Sequence, residues 1–244
     1  MKSKNIGTIV IAIAIVITAL ISSNAYMNRN KSNDTIIVTG LGSKDFVSDL
    51  IVWRSSFSKK SMVLKDASLM LDQDRENIRK YLASKGISEK NIIFEAVNIN
   101  KEFEYTYNKE GLVSQTTFSG YLLSQNLRVE SNEVDKVESI SREISELINQ
   151  GIEFYSNNPE YYYTKLAQLK LEMIEEATKD ANARAQIIAK NAGSAVGRLK
   201  SASLGVFQII AQNSSEDYSW GGSFNTDSKR KSANITVKLV YQTN

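Results

Sequence analysis

The 244 residues include no histidine and no cysteine. That removes the usual general base at neutral pH, the thiolate nucleophile and the common zinc ligands. Ser-His-Asp and Cys-His centres are excluded by composition, and no disulfide can form. The chemistry left belongs to carboxylates, amines, guanidinium groups, phenols and hydroxyls. A carboxylate-only calcium or magnesium site stays open on these grounds.

Two acidic clusters invite that test. Glu102, Glu104 and Glu110 lie close to Tyr105 and Tyr107. An exposed hairpin of mixed charge explains them equally, and general acid-base work needs two carboxylates in different environments. Glu172, Glu175, Glu176 and Asp180, with Lys170 and Lys179, have the spacing of a solvated helix face laced by i,i+4 pairs. Gly40 and Gly42 resemble a phosphate-cradling turn, but a strand follows them rather than a helix. The pair therefore reads as a bulge or tight corner. No catalytic, cofactor-binding or metal-binding residue is assigned, and no enzymatic activity is expected.

Contact residues are better candidates. Tyr161, Tyr162 and Tyr163 follow Pro159, the single proline. They could stack on sugars or on a partner, or pack where a helix enters. The polar stretch from Gln212 to Ser232 holds Tyr218, Trp220, Gly221-Gly222 and Phe224. A large aromatic in such a loop is a natural contact point; the plain alternative is a floppy hairpin tip. Lys229, Arg230 and Lys231 follow, a triplet able to touch anionic lipid or polymer.

The elements positioning these residues follow from periodicity. Strand patterns cover Ile36–Thr39, about Asp49 to Phe57, Asn91 to about Tyr107, Gly120–Glu130, Ile152–Tyr155, Leu199–Ile210 and Ile235–Tyr241. Helical stripes cover Lys65–Lys85, about Glu133 to Gln150 and about Tyr162 to Asn191. The third helix buries a line of Leu166, Leu169, Met173, Ala177, Ala181, Ala185, Ile188 and Ala192. Alanines make that face thin, so whatever packs on it approaches closely. The order ββαββαβαββ predicts an α+β fold, a mostly antiparallel sheet with three helices on one face, preceded by an N-terminal hydrophobic helix.

That leader begins with Lys2 and Lys4 and runs without charge from Ile6 to Ile21. Two readings stand: a signal peptide cleaved after Ser23-Asn24-Ala25, or an uncleaved anchor holding the membrane through residues 6–25. Both send the rest of the chain across the membrane, to the periplasmic side or into secretion. The expected organisation is 1–25 leader, 26–33 polar tether and 34–244 globular domain. Net charge is +3 and falls to +1 without Lys2 and Lys4, which gives no footprint for nucleic acid.

Five stretches, in order, resemble the SIMPL domain family of bacterial envelope proteins. They are Val38-Thr39-Gly40-Leu41-Gly42; Ser48-Asp49; Gly86-Ile87-Ser88 with Asn91-Ile92; Gly120-Tyr121 with Leu127-Arg128-Val129; and the Ala-rich run from Ala177 to Gly197. Leu41, Ser48 and Asn91 depart from the family's usual acidic residue, proline and aspartate. The resemblance implies an extracytoplasmic domain. Some members form ring-like oligomers, some are linked to oxidative stress defence, and an animal member associates with a kinase; no catalytic residues are established. The expected protein is thus a non-enzymatic, self-associating structural or interaction protein of the cell envelope, with protein or envelope-polymer partners. The alternative is an extracytoplasmic binding module using Tyr161–Tyr163 or the Trp220 loop.

Overall fold

The structure is a computed structural model that describes residues 2–28, 34–215 and 219–243. The leader is one helix, α1 (Lys2–Asn28). At 1.5 Å per residue its 27 residues extend about 40 Å, enough for a ~30 Å hydrocarbon layer. None of its apolar window Val10–Met27 is buried, and mean hydropathy there is 2.0. The candidate cleavage residues Ser23-Asn24-Ala25 lie within this helix. Most of the expected tether, residues 29–33, lies outside the described residues.

The body is α+β and antiparallel, as the patterning predicts, but it has two sheets rather than one. The first joins β1 (Thr35–Val47), β9 (Arg230–Thr243), β7 (Val196–Leu204) and β8 (Gln208–Ala211). β7 and β8 pair with successive parts of β9. The second sheet runs β3 (Ile92–Tyr107), β4 (Val113–Ser131), β2 (Leu50–Ser61), β5 (Glu153–Ser156), with β6 (Glu160–Tyr162) also on β2. Consecutive strands β1 and β2 therefore belong to different sheets. Alternation reports which strand face is buried, not which sheet buries it, so the division is silent in the sequence.

Asp49 sits at that joint. Its carboxylate accepts from the Thr164 amide (2.7 Å) and hydroxyl (2.8 Å), just before α5 (Leu166–Asn191). Its amide donates to the Tyr162 carbonyl, and its own carbonyl accepts from Asn132. Ser48 donates its amide to the Lys229 carbonyl, a bond that proline could not make.

Each sheet has its own core. On the first, α5 lays Leu169, Met173, Ala177, Ala181 and Ala185 against Val38, Ile235, Val237 and Leu239, and Ala189 is buried one turn on. The buried line ends on Ala189, not on Ile188 and Ala192 as the spacing suggests; Ile188 is exposed. Gly40 and Gly42 form no corner, because β1 runs through them in unbroken register with β9. A Cβ at Gly40 would lie 2.1 Å from the Ala177 carbonyl oxygen, and one at Gly42 would lie 2.3 Å from that of Met173. The two glycines are where the thin helix face touches the strand backbone.

On the second sheet, α2 (Leu64–Ser84), α3 (Val134–Arg142) and α4 (Ser145–Asn149) cover Ile51, Trp53, Phe57, Leu123, Leu127 and Val129. The single helix expected to Gln150 is broken after Arg142. The Glu143 carbonyl accepts the Tyr81 hydroxyl, and Lys85 binds both Glu143 and Glu146. The break returns Leu147 to the core. The third helix likewise starts at Leu166, because Glu160–Tyr162 pairs with β2 instead.

Candidate functional site

Among the described residues, Trp220 is the most exposed large apolar side chain, at 99%. It stands on a fixed turn. Buried Gln208 clasps Ser219 from both sides: its Nε2 donates to the Ser219 carbonyl (2.6 Å), and its Oε1 accepts the Ser219 amide (3.4 Å). The Gly222 amide closes the turn on the Ser219 carbonyl at φ +95°, a conformation glycine adopts without strain. Beyond it, the Ile209 amide donates to Ser223 and the Asn225 amide to Ile209, so the loop is laced to β8. The turn is thus tied to β8 by hydrogen bonds at several points. Holding the backbone rigid removes much of the ordering cost that a contact through the indole would otherwise carry.

Beneath Trp220 lies a cavity of about 380 Å³. Leu41, Val206, Ile235 and Thr236 give it an apolar lining, with Gln208 and Asn234 as polar points. Leu41 and Val206 are half exposed. No local pattern joins this lining, since Leu41 on β1 meets Ile235 and Thr236 on β9 about 200 residues later in the chain. Alternation marked Thr236 only as the polar side of its strand, and Leu41 fell in the expected corner after Ile36–Thr39. Tyr218 lies outside the described residues.

The other candidates separate. Tyr161 is buried in the second core, and burial raises its phenol. The Tyr162 hydroxyl donates to Glu160 (2.8 Å), and its ring faces Phe224. Tyr163 packs on Phe46 with centroids 4.7 Å apart. Alternation along an extended segment sends the three rings to different neighbours, so they make no stacking platform and do not form a helix entry.

The basic triplet is also no patch. Lys229 is bound by Asp135 and Glu138, whose bonds raise its pKa. Lys231 is 1% exposed. Its ammonium donates to the Tyr161 carbonyl (2.5 Å) and lies 5.7 Å from the centre of the Phe224 ring. Burial pushes it down to about 8, and Asp227 offsets this only in part. Arg230 is the exposed member. Lys231 and Phe224 instead brace the foot of the Trp220 loop.

The acidic clusters are engaged structurally. Glu172 accepts from Lys44 (2.5 Å), which lowers the Glu172 pKa. Asp180 is lowered first by Arg184 and then by the Leu41 amide, which it caps at the open edge of β1. Lys179 pairs with Glu175. Glu102 and Glu104 lie on an exposed strand, as a mixed-charge hairpin requires. Among the described residues, no three carboxylates gather as a metal site.

A family model described as "SIMPL: Protein of unknown function (DUF541)" matches residues 36–240. A comparison with curated proteins found no match.

Proposed function

The chain belongs to the SIMPL family, and from that premise we propose that it is a non-catalytic interaction protein of the cell envelope. In this reading α1 carries the body to the outer face of the cytoplasmic membrane. The body then acts by contact, with copies of itself and with a protein or envelope-polymer partner. The observation that carries the reading is Trp220: a large indole fully in water on a turn clasped by Gln208. Exposed indoles on rigid supports are favoured contact anchors. The extracytoplasmic placement is supported by the unburied apolar window of α1.

A link to stress defence, which the family resemblance implies, would then be indirect. The chain has no thiol to enter the cysteine oxidation ladder. A second reading, a ligand- or polymer-binding module, is favoured by the 380 Å³ cavity beside the indole. The tyrosine run no longer supports that alternative.

Photo-cross-linking in intact cells tests the proposal. A benzophenone amino acid at position 220 of the full-length chain should give discrete protein or polymer adducts. The same group at exposed Leu171 on α5 should not. Equal, weak labelling at both positions would overturn the role given to Trp220.

A further inference from the structure

β3 and β4 continue past the rest of their sheet. β2 stops pairing with β4 at Ser61–Tyr121, whereas β3 and β4 stay paired out to Tyr107–Val113. The outer part is a two-stranded arm reaching roughly 20 Å beyond the sheet at about 3.3 Å per residue. A lone ribbon of this kind is marginal in water.

The arm is two-faced. Cross-strand partners share a face, so one side carries Ile99, Phe103, Tyr105 and Tyr107 opposite Leu123, Phe118, Thr116 and Val113. Only Lys101 and Thr116 interrupt it. The other side carries Asn98, Asn100, Glu102, Glu104 and Thr106. The first side continues the core face of the second sheet, where Leu123 is buried. Phe103, Phe118 and Tyr121 form a row of edge-on ring contacts along it, at 5.7 and 5.2 Å. Among the described residues nothing covers this side: Ile99, at the root of the arm where β2 still pairs, is 55% exposed, and beyond it Phe103 is 42%, Tyr105 54% and Tyr107 62% exposed.

With Val113 and tip residue Leu112, these side chains expose roughly 600 Å², at the upper end of what a monomer's largest apolar patch shows. A standard interface takes about 800 Å² per partner. We propose that the apolar side of this arm is an interface that packs face to face on the same arm of a second copy. The proposal rests on the self-association reading above and deepens it.

A flat apolar ribbon needs a flat apolar cover of its own width, and a second arm is such a surface. Two ribbons stacked about 10 Å apart bury both inner faces, the spacing of packed sheets. A twofold pair is self-complementary and closed. Glu102 and Glu104 then face outward and discourage further stacking. A bilayer is the poorer cover, because Lys101, Lys109 and Glu110 would lose water, and the arm's net charge over residues 101–113 is −1. Anchoring through α1 would confine copies to one plane and raise their effective concentration.

The absence of cysteine makes the test clean. Full-length single-cysteine variants are prepared in membranes at Phe103, Tyr105 and Thr116, and at Glu104, Gln115 and Thr117 on the polar side. A short bis-maleimide should join copies at one or more of the first three positions and at none of the second. A Phe103→Asp, Tyr105→Asp variant should raise the dissociation constant of solubilised full-length chain at least tenfold. Measured at concentrations where both chains are monomeric, its thermal midpoint should hold, since neither residue is in the core. Cross-linking on the polar side alone, or equally on both sides, would overturn the proposal. So would an unchanged constant in the double variant while the wild-type chain still associates. A wild-type chain that stays monomeric would overturn the self-association reading itself.

Discussion

Burial holds the Lys231 ammonium at about 8, against an ordinary lysine value of 10.5. The sign of the effect on stability follows. Below pH 8 both folded and unfolded chains carry this proton, and the cost of burying the charge is at its full value. Between about 8 and 10.5 the unfolded chain binds more protons, so stability rises with pH over that window. Relative to Lys231→Met, the wild-type chain should gain up to about 3 kcal/mol from pH 7 to pH 10, read from urea midpoints; parallel profiles would contradict it. Trp220→Ala should leave the unfolding free energy within about 0.5 kcal/mol, since the indole touches little, while the partner contacts of the turn weaken. A calorimetric shift beyond that would mean that Trp220 packs in solution. Trp220 was legible in the sequence, because a tryptophan before Gly221-Gly222 in a polar stretch has few roles. Lys231 was not: its carbonyl partner is 70 residues away, and Lys229-Arg230-Lys231 looks the same whether or not β9 turns its last lysine inward.

The contact of α5 with β1 depends on having no side chain at two strand positions. Gly40→Ala would place a methyl 2.1 Å from the Ala177 carbonyl and 2.4 Å from the Ala181 amide nitrogen. Backbone cannot yield as a flexible side chain does, so the helix must lift from the strand. A loss of about 3 kcal/mol in chemical denaturation is expected, at the upper end for overpacking. A loss under about 1 kcal/mol would show that α5 has slack there. The alanine line was readable as a thin face. The glycines were misread as a corner, because in a strand they mark either a bend or a close approach, and only the neighbour decides. The broken α3–α4 segment was hidden in the same way. Val134, Val137, Ile140, Ile144 and Leu147 keep helical spacing across the break, while the Tyr81 hydroxyl that binds the Glu143 carbonyl comes from another helix.

At the scale of the molecule, the order of elements was largely legible and the assembly of sheets was not. Strand order depends on pairs such as Thr35 with Gln242, which no local pattern encodes. The cavity under Trp220 is a product of that pairing and was invisible for the same reason. Placement across the membrane is testable because the chain lacks thiols. A Trp220→Cys variant should react with a membrane-impermeant maleimide added to intact spheroplasts; reaction only after lysis would place the body in the cytoplasm. The claim that this protein works by contact with further copies is tested most directly by its mass in native membrane patches. Full-length chain taken into lipid nanodiscs without detergent should weigh, by native mass spectrometry, an integral multiple of two or more of its chain mass, 27.3 kDa for the uncleaved form. A single chain per disc, at membrane densities matching the cell, would contradict it.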